Sequence, residues 1–286
     1  MLCLTLCIAN NDLVIDEKSY GQEMNFLAHP YEKWYNHSST GGVYMENIKD
    51  LISWLLTSED IDPADSGSIH FELPKYEISP NRFLEFAEID LKDDSVKGKV
   101  NTVSNLKRAL DCQLDMFFET LNLKKIFDKY NLKFEKKTIF LADVGMFPNQ
   151  SINKLNKIRN KMEHHYETPA MEDLNVYYEL VQNMLEIVDL NLQLMSMGEI
   201  GVVVKKQGKE FYFSSNYNLE RSEIVFEVEV YASGDKKSIK VALEKIEDYN
   251  DYIKAFCLFR YMIRFSNVFD VEYFIQQLQT LNSDKS

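Results

Sequence analysis

Cysteine is scarce in this sequence, and its cysteines show no pattern typical of a metal site or a disulfide framework. The four cysteines are Cys3, Cys7, Cys112 and Cys257, with neither C-x-x-C spacing nor histidine partners nearby. A structural zinc site needs such a ligand set, and a disulfide-stabilised domain needs a denser cysteine pattern. The composition fits a reducing compartment, so we expect a cytoplasmic protein without a metal or other cofactor.

Long hydrophobic runs are absent as well. The apolar start, MLCLTLCIANND, has no basic leader and is too short to span a bilayer. The segment has the character of a first β-strand, or of residues that precede a true start at Met24, more than of a signal peptide. We therefore expect no association with a membrane.

Basic residues are fewer than acidic residues in the chain, but they are concentrated in one segment. The sequence carries 32 lysines and arginines against 45 acidic residues, a net charge of −13. Residues 121–166 nevertheless hold nine lysines and Arg159 against four acidic residues, a local net charge of +6. A net negative charge disfavours nucleic-acid binding, whereas a basic segment flanked by acidic ones attracts polyanions locally. Lysine-rich helices that are merely soluble would show the same composition.

Hydrophobic periodicity predicts an α+β protein that is mainly helical and has three regions. Residues 1–98 alternate short helical and extended pieces, which indicates a small N-terminal α+β region. Residues 99–197 are expected to form a central antiparallel helical bundle. Residues 198–286 are expected to form an antiparallel β-meander followed by two helices.

The local patterns predict the individual elements. Apolar residues at helical spacing predict helices over residues 44–58, 100–121, 123–145, 151–166, 169–197, 248–265 and 270–281. Residues 60–67 are expected to break the first helix, and residues 68–79 to be extended as far as Pro80. Asn149 or Ser151 is the expected cap of one central helix, and Thr168 followed by Pro169 the start of the next.

The segment KIRNKMEHHY, residues 157–166, concentrates polar side chains on one predicted helix. One face of that helix carries four apolar residues, Ile152, Leu155, Ile158 and Met162. The opposite face carries amides, lysines and a histidine: Asn153, Asn156, Lys157, Asn160, Lys161 and His164. Asn160 and His164 are one turn apart, so the amide can orient the imidazole, and the long side chain of Arg159 can reach around the helix.

A simpler interpretation of these residues is also open. Arg159 and Glu163 are four residues apart, and such helical ion pairs stabilise by only a few tenths of a kcal/mol. His164 would then be an ordinary surface histidine. Periodicity alone favours this simpler interpretation.

The order of the residues resembles a known signature. RNKMEH, residues 159–164, resembles the R-(N/D/H)-x-x-x-H signature of the HEPN superfamily. RNKMEHHY, residues 159–166, is similar to the R-x4-H-x-Y signature of the HepT toxins within that superfamily. The similarity covers about residues 99–197, a third of the chain, in which an opening helix, a long second helix, the motif helix after a loop and an apolar closing helix follow in order. The resemblance implies an HEPN-like antiparallel helical bundle.

The resemblance also implies an activity, because HEPN proteins are mostly metal-independent endoribonucleases. Cleavage of RNA through its own 2′-hydroxyl needs a base, an acid and positive charge on the transition state. The resemblance makes Arg159, Asn160 and His164 the catalytic residues: His164 as general acid or base, Arg159 on the phosphate, and Asn160 orienting the histidine or the substrate. Lys157 and Lys161 are expected to attract RNA. One protomer offers a single such histidine, so the site is expected to form between the two copies of a homodimer.

Tyr166 stands where HepT toxins carry a tyrosine that a partner nucleotidyltransferase modifies with AMP. It is therefore a candidate for regulatory modification, although it is also a candidate packing residue. The expected role is a toxin or antiviral defence effector that an antitoxin, a nucleotidyltransferase or another trigger controls.

Two other classes of function compete with the nuclease. A non-catalytic HEPN scaffold would dimerise, or bind nucleotide or protein, through the same helices without histidine chemistry. A metalloenzyme using His29, His37 and His70 is disfavoured, because the spacing of His29 and His37 suits no common metal-binding helix.

Overall fold

The computed structural model describes residues 46–66, 71–268 and 270–283, with side chains described at all of these except 62–66, 149, 151, 152 and 154–156. The described residues belong to one compact unit, residues 38–286. Its helices are α1 (Ile48–Leu56), α2 (Pro80–Leu91), α3 (Val96–Thr120), α4 (Lys124–Lys129), α5 (Phe134–Asp143), α6 (Asn149–His165), α7 (Met171–Met195), α8 (Tyr249–Asn267) and α9 (Val271–Ser283). Its strands are β1 (Asp60–Ser66), β2 (Ile200–Lys206), β3 (Lys209–Asn218), β4 (Glu223–Val230) and β5 (Lys236–Ala242). The mixed, mainly helical α+β class is confirmed.

A single antiparallel sheet with the strand order β1-β2-β3-β4-β5 contains all the described strands. Strands β2 to β5 form the predicted meander. Strand β1 was not predicted, because its sequence DIDPADS has the turn-forming residues expected to break a helix. It pairs with β2 through residues such as Asp60 and Lys205, which are 145 positions apart. Pro63 suits the edge of the sheet, where the missing N–H group interrupts no central ladder.

Helix α8 lies between the sheet and the other helices, and it is apolar on most of its sides. Its buried residues are Tyr252, Ala255, Phe256, Cys257, Leu258, Phe259, Met262, Ile263 and Phe265. Towards the helices, the Phe256 ring centroid is 5.7 Å from that of Phe140 and 6.5 Å from that of Phe117. Towards the sheet, α8 contacts all five strands. A helix that is hydrophobic on all sides has to be covered on all sides, which explains the central place of α8.

Helices α3 and α7 pack along each other, and α2 covers both. The predicted apolar face of α3 is confirmed, because Val103, Leu106, Leu110, Leu114, Phe117 and Leu121 are all buried. Helix α2 was missed at the sequence level, although its start carries a clear signal. The Ser79 hydroxyl accepts a hydrogen bond from the backbone N–H of Arg82, and Pro80 occupies the first helical position. Residues 71–79, ahead of α2, form no strand.

Three predicted boundaries were wrong. The helix predicted over residues 123–145 is interrupted between α4 and α5, where Asn131 adopts a left-handed backbone conformation with φ of 51°. Helix α6 follows Pro148 without a side-chain cap, so neither Asn149 nor Ser151 has the predicted role. Helix α7 starts at Met171, after Ala170, rather than at the Thr168–Pro169 pair. Residue preferences for caps are weak compared with the packing that sets where a helix can begin.

Contacts run across both of the expected regional boundaries. Helix α1 packs on α8 and α9, and β1 adds to the sheet of the C-terminal region. Helix α2, from the same N-terminal region, packs instead on α3 and α7. The division of the chain into three regions at residues 98 and 197 stays a prediction.

A buried tyrosine pair connects the sheet to α3 and α8. The Tyr217 hydroxyl on β3 donates a hydrogen bond to the Leu121 carbonyl at 2.8 Å and lies 3.1 Å from the Tyr252 hydroxyl on α8. Both rings are almost fully buried. Burial raises the pKa of Tyr217 well above its ordinary value, so the hydroxyl stays protonated and remains a donor.

We expect Tyr217→Phe to lower the free energy of unfolding by about 1–3 kcal/mol, because the buried Leu121 carbonyl would lose its side-chain donor. Urea denaturation followed by circular dichroism measures this change. Tyr166→Phe is the matched control, since the Tyr166 side chain is 90% exposed and should change stability by less than about 0.5 kcal/mol. Equal effects of the two substitutions would contradict a structural role for the Tyr217 hydroxyl.

Candidate active site

Helix α6 carries the motif and lies against α5 and α7. Of its predicted apolar face, Ile158 is buried and Met162 is half-buried against the core. The side chains of Ile152 and Leu155 lie outside the described residues. The amphipathic helix predicted from the sequence is therefore present. The C-terminal half of its apolar face packs against the core.

The outer face of α6 presents four of the predicted site residues to solvent. Lys157, Asn160, Lys161 and His164 are all exposed. At 3.6 residues per turn they fall within an arc of about 100° around the helix. With respect to the described residues, these four side chains make no hydrogen bond and no ion pair. The predicted hydrogen bond between Asn160 and His164 is therefore not made, and the imidazole is not oriented by the amide.

Arg159 lies on a different side of α6, about 140° around the helix from His164. Its Nε donates a hydrogen bond to Glu163 Oε2 at 2.9 Å, and its side chain is only 25% exposed. The guanidinium carbon lies 5.6 Å from the centre of the Phe134 ring at the start of α5. The helical ion pair of the simpler interpretation is present, and a single protomer does not bring Arg159 and His164 together.

Lys107 is a member of this cluster that the sequence did not indicate. Its Nζ lies 3.4 Å from Glu163 Oε1, so the Glu163 carboxylate bridges Lys107 on α3 and Arg159 on α6. Lys107 precedes Glu163 by 56 positions, and no local pattern reports a contact over that distance. Only the packing of α6 beside α3 reveals it.

The flank of α6 that faces α3, α5 and α7 holds balanced charge. Its cations are Lys107, Lys137 and Arg159, and its carboxylates are Asp111, Asp115 and Glu163. Lys137 forms an ion pair with Asp115. Asp111 forms no hydrogen bond with any side chain or backbone group in the described part of the chain. Burial raises its pKa, against the opposing charges of Lys107 and Arg159.

Tyr177 of α7 is a buried tyrosine near the same flank. Its ring is 2% exposed, and its hydroxyl is close enough to Arg159, Asp111 and Glu163 for their charges to act on it. Burial raises the pKa of Tyr177, so the hydroxyl is neutral at physiological pH. The contacts of the Arg159 side chain are thus an aromatic ring, Phe134, and a carboxylate, Glu163.

Tyr166 ends α6 in a left-handed backbone conformation, with φ of 55°. Its backbone N–H donates to the Lys161 carbonyl, as is typical of the residue that closes a helix. The side chain is 90% exposed, so the packing role is wrong and the hydroxyl is open to solvent. Left-handed backbone is unfavourable for a residue other than glycine, which makes Tyr166 a costly choice at this position.

The basic segment of residues 121–166 is partly neutralised in the fold. Lys124 pairs with Asp128, Lys137 with Asp115, and Arg159 with Glu163. The positive charge that remains unpaired with described residues includes Lys157 and Lys161 on the outer face of α6. The face of α6 that carries His164 therefore carries two of these positive charges, which attract a polyanion.

Within residues 46–66, 71–268 and 270–283, no group of three or more histidine, cysteine or carboxylate side chains could hold a metal ion. The histidines of the metalloenzyme alternative, His29, His37 and His70, lie outside the described residues. No helix in the described ranges is both long and apolar enough to cross a bilayer.

Comparisons with protein-family models, curated proteins and solved structures gave no match for this chain. The HEPN resemblance therefore stands on the motif residues and the order of the helices.

The raised pKa of Asp111 has a consequence for stability. The folded protein binds the proton of this carboxyl more tightly than the unfolded chain, whose carboxyl has the ordinary pKa of 3.8. The resulting stabilisation is complete below that pH and is lost as the pH rises through the folded-state pKa. We expect Asp111→Asn to raise the melting temperature at pH 7 and to flatten its decline above pH 4.

Thermal melts between pH 4 and pH 8 measure this effect. Glu179→Gln is the control, because it removes one negative charge from an exposed position of α7. A lower melting temperature for Asp111→Asn at pH 7 would show that Lys107 and Arg159 hold the carboxylate more strongly than burial opposes it.

Proposed function

We propose that this protein is a metal-independent endoribonuclease of the HEPN type, with an active site shared between the two copies of a homodimer. The observation that carries the proposal is the outer face of α6, where His164, Asn160, Lys157 and Lys161 are exposed together. A histidine titrates near neutral pH, and lysines beside it attract the phosphates of RNA. The motif order that resembles HEPN proteins coincides with this face.

The proposed reaction uses the 2′-hydroxyl of RNA as the nucleophile. His164 of one copy removes the hydroxyl proton, and the 2′-oxygen attacks the adjacent phosphorus. The bond from phosphorus to the 5′-oxygen breaks, and His164 of the second copy protonates that oxygen. The products are a 2′,3′-cyclic phosphate and a 5′-hydroxyl. Arg159 stabilises the extra negative charge of the transition state, because its guanidinium stays charged at every physiological pH.

The geometry of one chain supports a site made from two. Arg159 and His164 of the same α6 lie about 140° apart, so they cannot easily hold one phosphate together. A two-fold axis beside the exposed faces of two α6 helices would bring both His164 side chains to one phosphate, with the two Arg159 side chains in the same cleft. Helix α7, which packs on both α3 and α6, would then be the centre of an HEPN-like bundle.

Tyr166 supports control of this site by modification. Its exposed hydroxyl lies two residues after His164, so an attached nucleotide would place negative charge beside the proposed cleft. That charge would repel RNA and block the histidine. A toxin or antiviral effector that a nucleotidyltransferase or antitoxin holds inactive fits this arrangement.

A non-catalytic scaffold is the second candidate function, and one observation favours it. Arg159 already has a carboxylate partner in Glu163, which in turn contacts Lys107. An arginine used in this way can stabilise the helical layer without touching a substrate. The same outer face of α6 would then serve only to bind another copy, a nucleotide or a protein.

We expect the purified protein to cut RNA in the presence of EDTA and to leave 2′,3′-cyclic phosphate ends. His164→Ala should reduce the rate by at least about 100-fold, because a positioned acid or base contributes on the order of 10²–10⁴ to a rate. Mapping of RNA ends and single-turnover cleavage measure these outcomes. His165→Ala is the matched control, since it removes the adjacent exposed histidine of the same helix and should leave cleavage intact.

Equal activity of wild type and His164→Ala, or a purified dimer that cuts no RNA, would leave the scaffold as the better account. In that case binding to a partner should survive His164→Ala.

A further inference from the structure

The Glu163 carboxylate occupies a position that suits a phosphate group. One of its oxygens accepts a hydrogen bond from Arg159 Nε at 2.9 Å, and the other lies 3.4 Å from Lys107 Nζ. Two cations from different helices thus converge on one oxyanion. This is a common arrangement by which proteins hold a phosphodiester, which shares one negative charge between two oxygens just as a carboxylate does.

The three side chains are accessible enough to exchange partners. The exposed fractions are 25% for Arg159, 27% for Glu163 and 32% for Lys107. Because all three side chains keep some contact with solvent, an incoming anion can reach the two ion pairs. The Phe134 ring beneath the guanidinium keeps the arginine in place when its partner changes.

Among the other charges of the flank, Asp111 is near enough to Lys107 and Arg159 for their charges to act on it, but it forms no ion pair with either. Lys137 is held by Asp115, so it is already paired. Among the described carboxylates, Lys107 and Arg159 both form their ion pair with Glu163. Displacing Glu163 therefore takes away the ion-pair partner of both cations, and Asp111 is the carboxyl group that still acts on them.

We propose that Arg159 and Lys107 form a phosphate-binding site of the enzyme, which the Glu163 carboxylate fills until a phosphate of bound RNA displaces it. The proposal rests on the proposed function in taking RNA as the ligand, and it adds Lys107 of α3 to the substrate-binding residues. The phosphates next to it on the same strand would lie along Lys157 and Lys161. Their attachment raises the effective concentration of the displacing phosphate.

Binding of a single-stranded oligonucleotide with 2′-deoxyribose tests this site separately from cleavage, because such a strand has no 2′-hydroxyl to attack. Fluorescence anisotropy gives its Kd over a series of salt concentrations. Each phosphate contact adds about 0.7 to the slope of log Kd against log salt for a single strand. Glu163→Gln should tighten binding by about tenfold, because two cations no longer need to exchange partners.

Two further variants serve as the charge control and as the test of Lys107. Glu167→Gln makes the same change of charge on an exposed residue just beyond α6. It should not tighten binding of the deoxy strand by tenfold. Lys107→Gln should lower the salt slope by about 0.7, both alone and combined with Glu163→Gln. Thermal melting of each variant establishes that it is folded, and Lys107→Gln alone decides the question if Glu163→Gln does not fold.

Equal gains from Glu163→Gln and Glu167→Gln, or an unchanged salt slope in Lys107→Gln, would overturn the phosphate site. A different set of results would contradict the nuclease proposal but not the phosphate site. In that case RNA would remain uncut by every variant, while the gain from Glu163→Gln and the lower slope of Lys107→Gln would persist with the deoxy strand.

Discussion

The burial of α8 on two sides is the constraint on which the arrangement of this molecule depends. One side of α8 meets the sheet, and the other meets α7 and, through the ring of Phe256, Phe117 of α3 and Phe140 of α5. From α8, Arg260 reaches into the helical layer, where its Nε donates to Asn191 Oδ1 at 2.9 Å and its Nη1 donates to the Val144 carbonyl. Burial lowers the pKa of Arg260, which indicates that these hydrogen bonds replace much of its hydration.

The position of the motif helix follows from this contact. Val144 and Gly145 end α5 and begin the short connection to α6, and Gly145 has a φ of 73° that glycine adopts without strain. Because Arg260 fixes that connection, the direction in which α6 leaves it is set by the core. The apolar side of α6 then packs on α7, and Arg159 lies over Phe134 of α5 while His164 faces solvent. The division of the motif between an inner flank and an outer face is thus a result of packing.

The sequence predicted those features that depend on local periodicity. The apolar stripe of α3, the meander of β2 to β5 and the exposed polar face of α6 are local patterns, and the structure has them. The pairing of β1 with β2 and the contact of Lys107 with Glu163 join residues far apart in the chain, so no local pattern could report them. The break at Asn131 did have a local signal, because asparagine is one of the few residues that adopt left-handed backbone readily, whereas the start of α7 differs from the prediction by only a few residues. For the candidate site, the sequence indicated the exposed face of α6 and the Arg159–Glu163 ion pair, but not the contact of Glu163 with Lys107.

The central claim is that one copy of α6 cannot complete the site and two copies can. The most direct test measures the RNA-cleavage rate per molecule over a range of protein concentrations, alongside the dimer fraction from sedimentation equilibrium. The account predicts that the rate per molecule rises in proportion to the dimer fraction and vanishes for the monomer. A monomer that cuts RNA at the same rate per molecule as the dimer would contradict it.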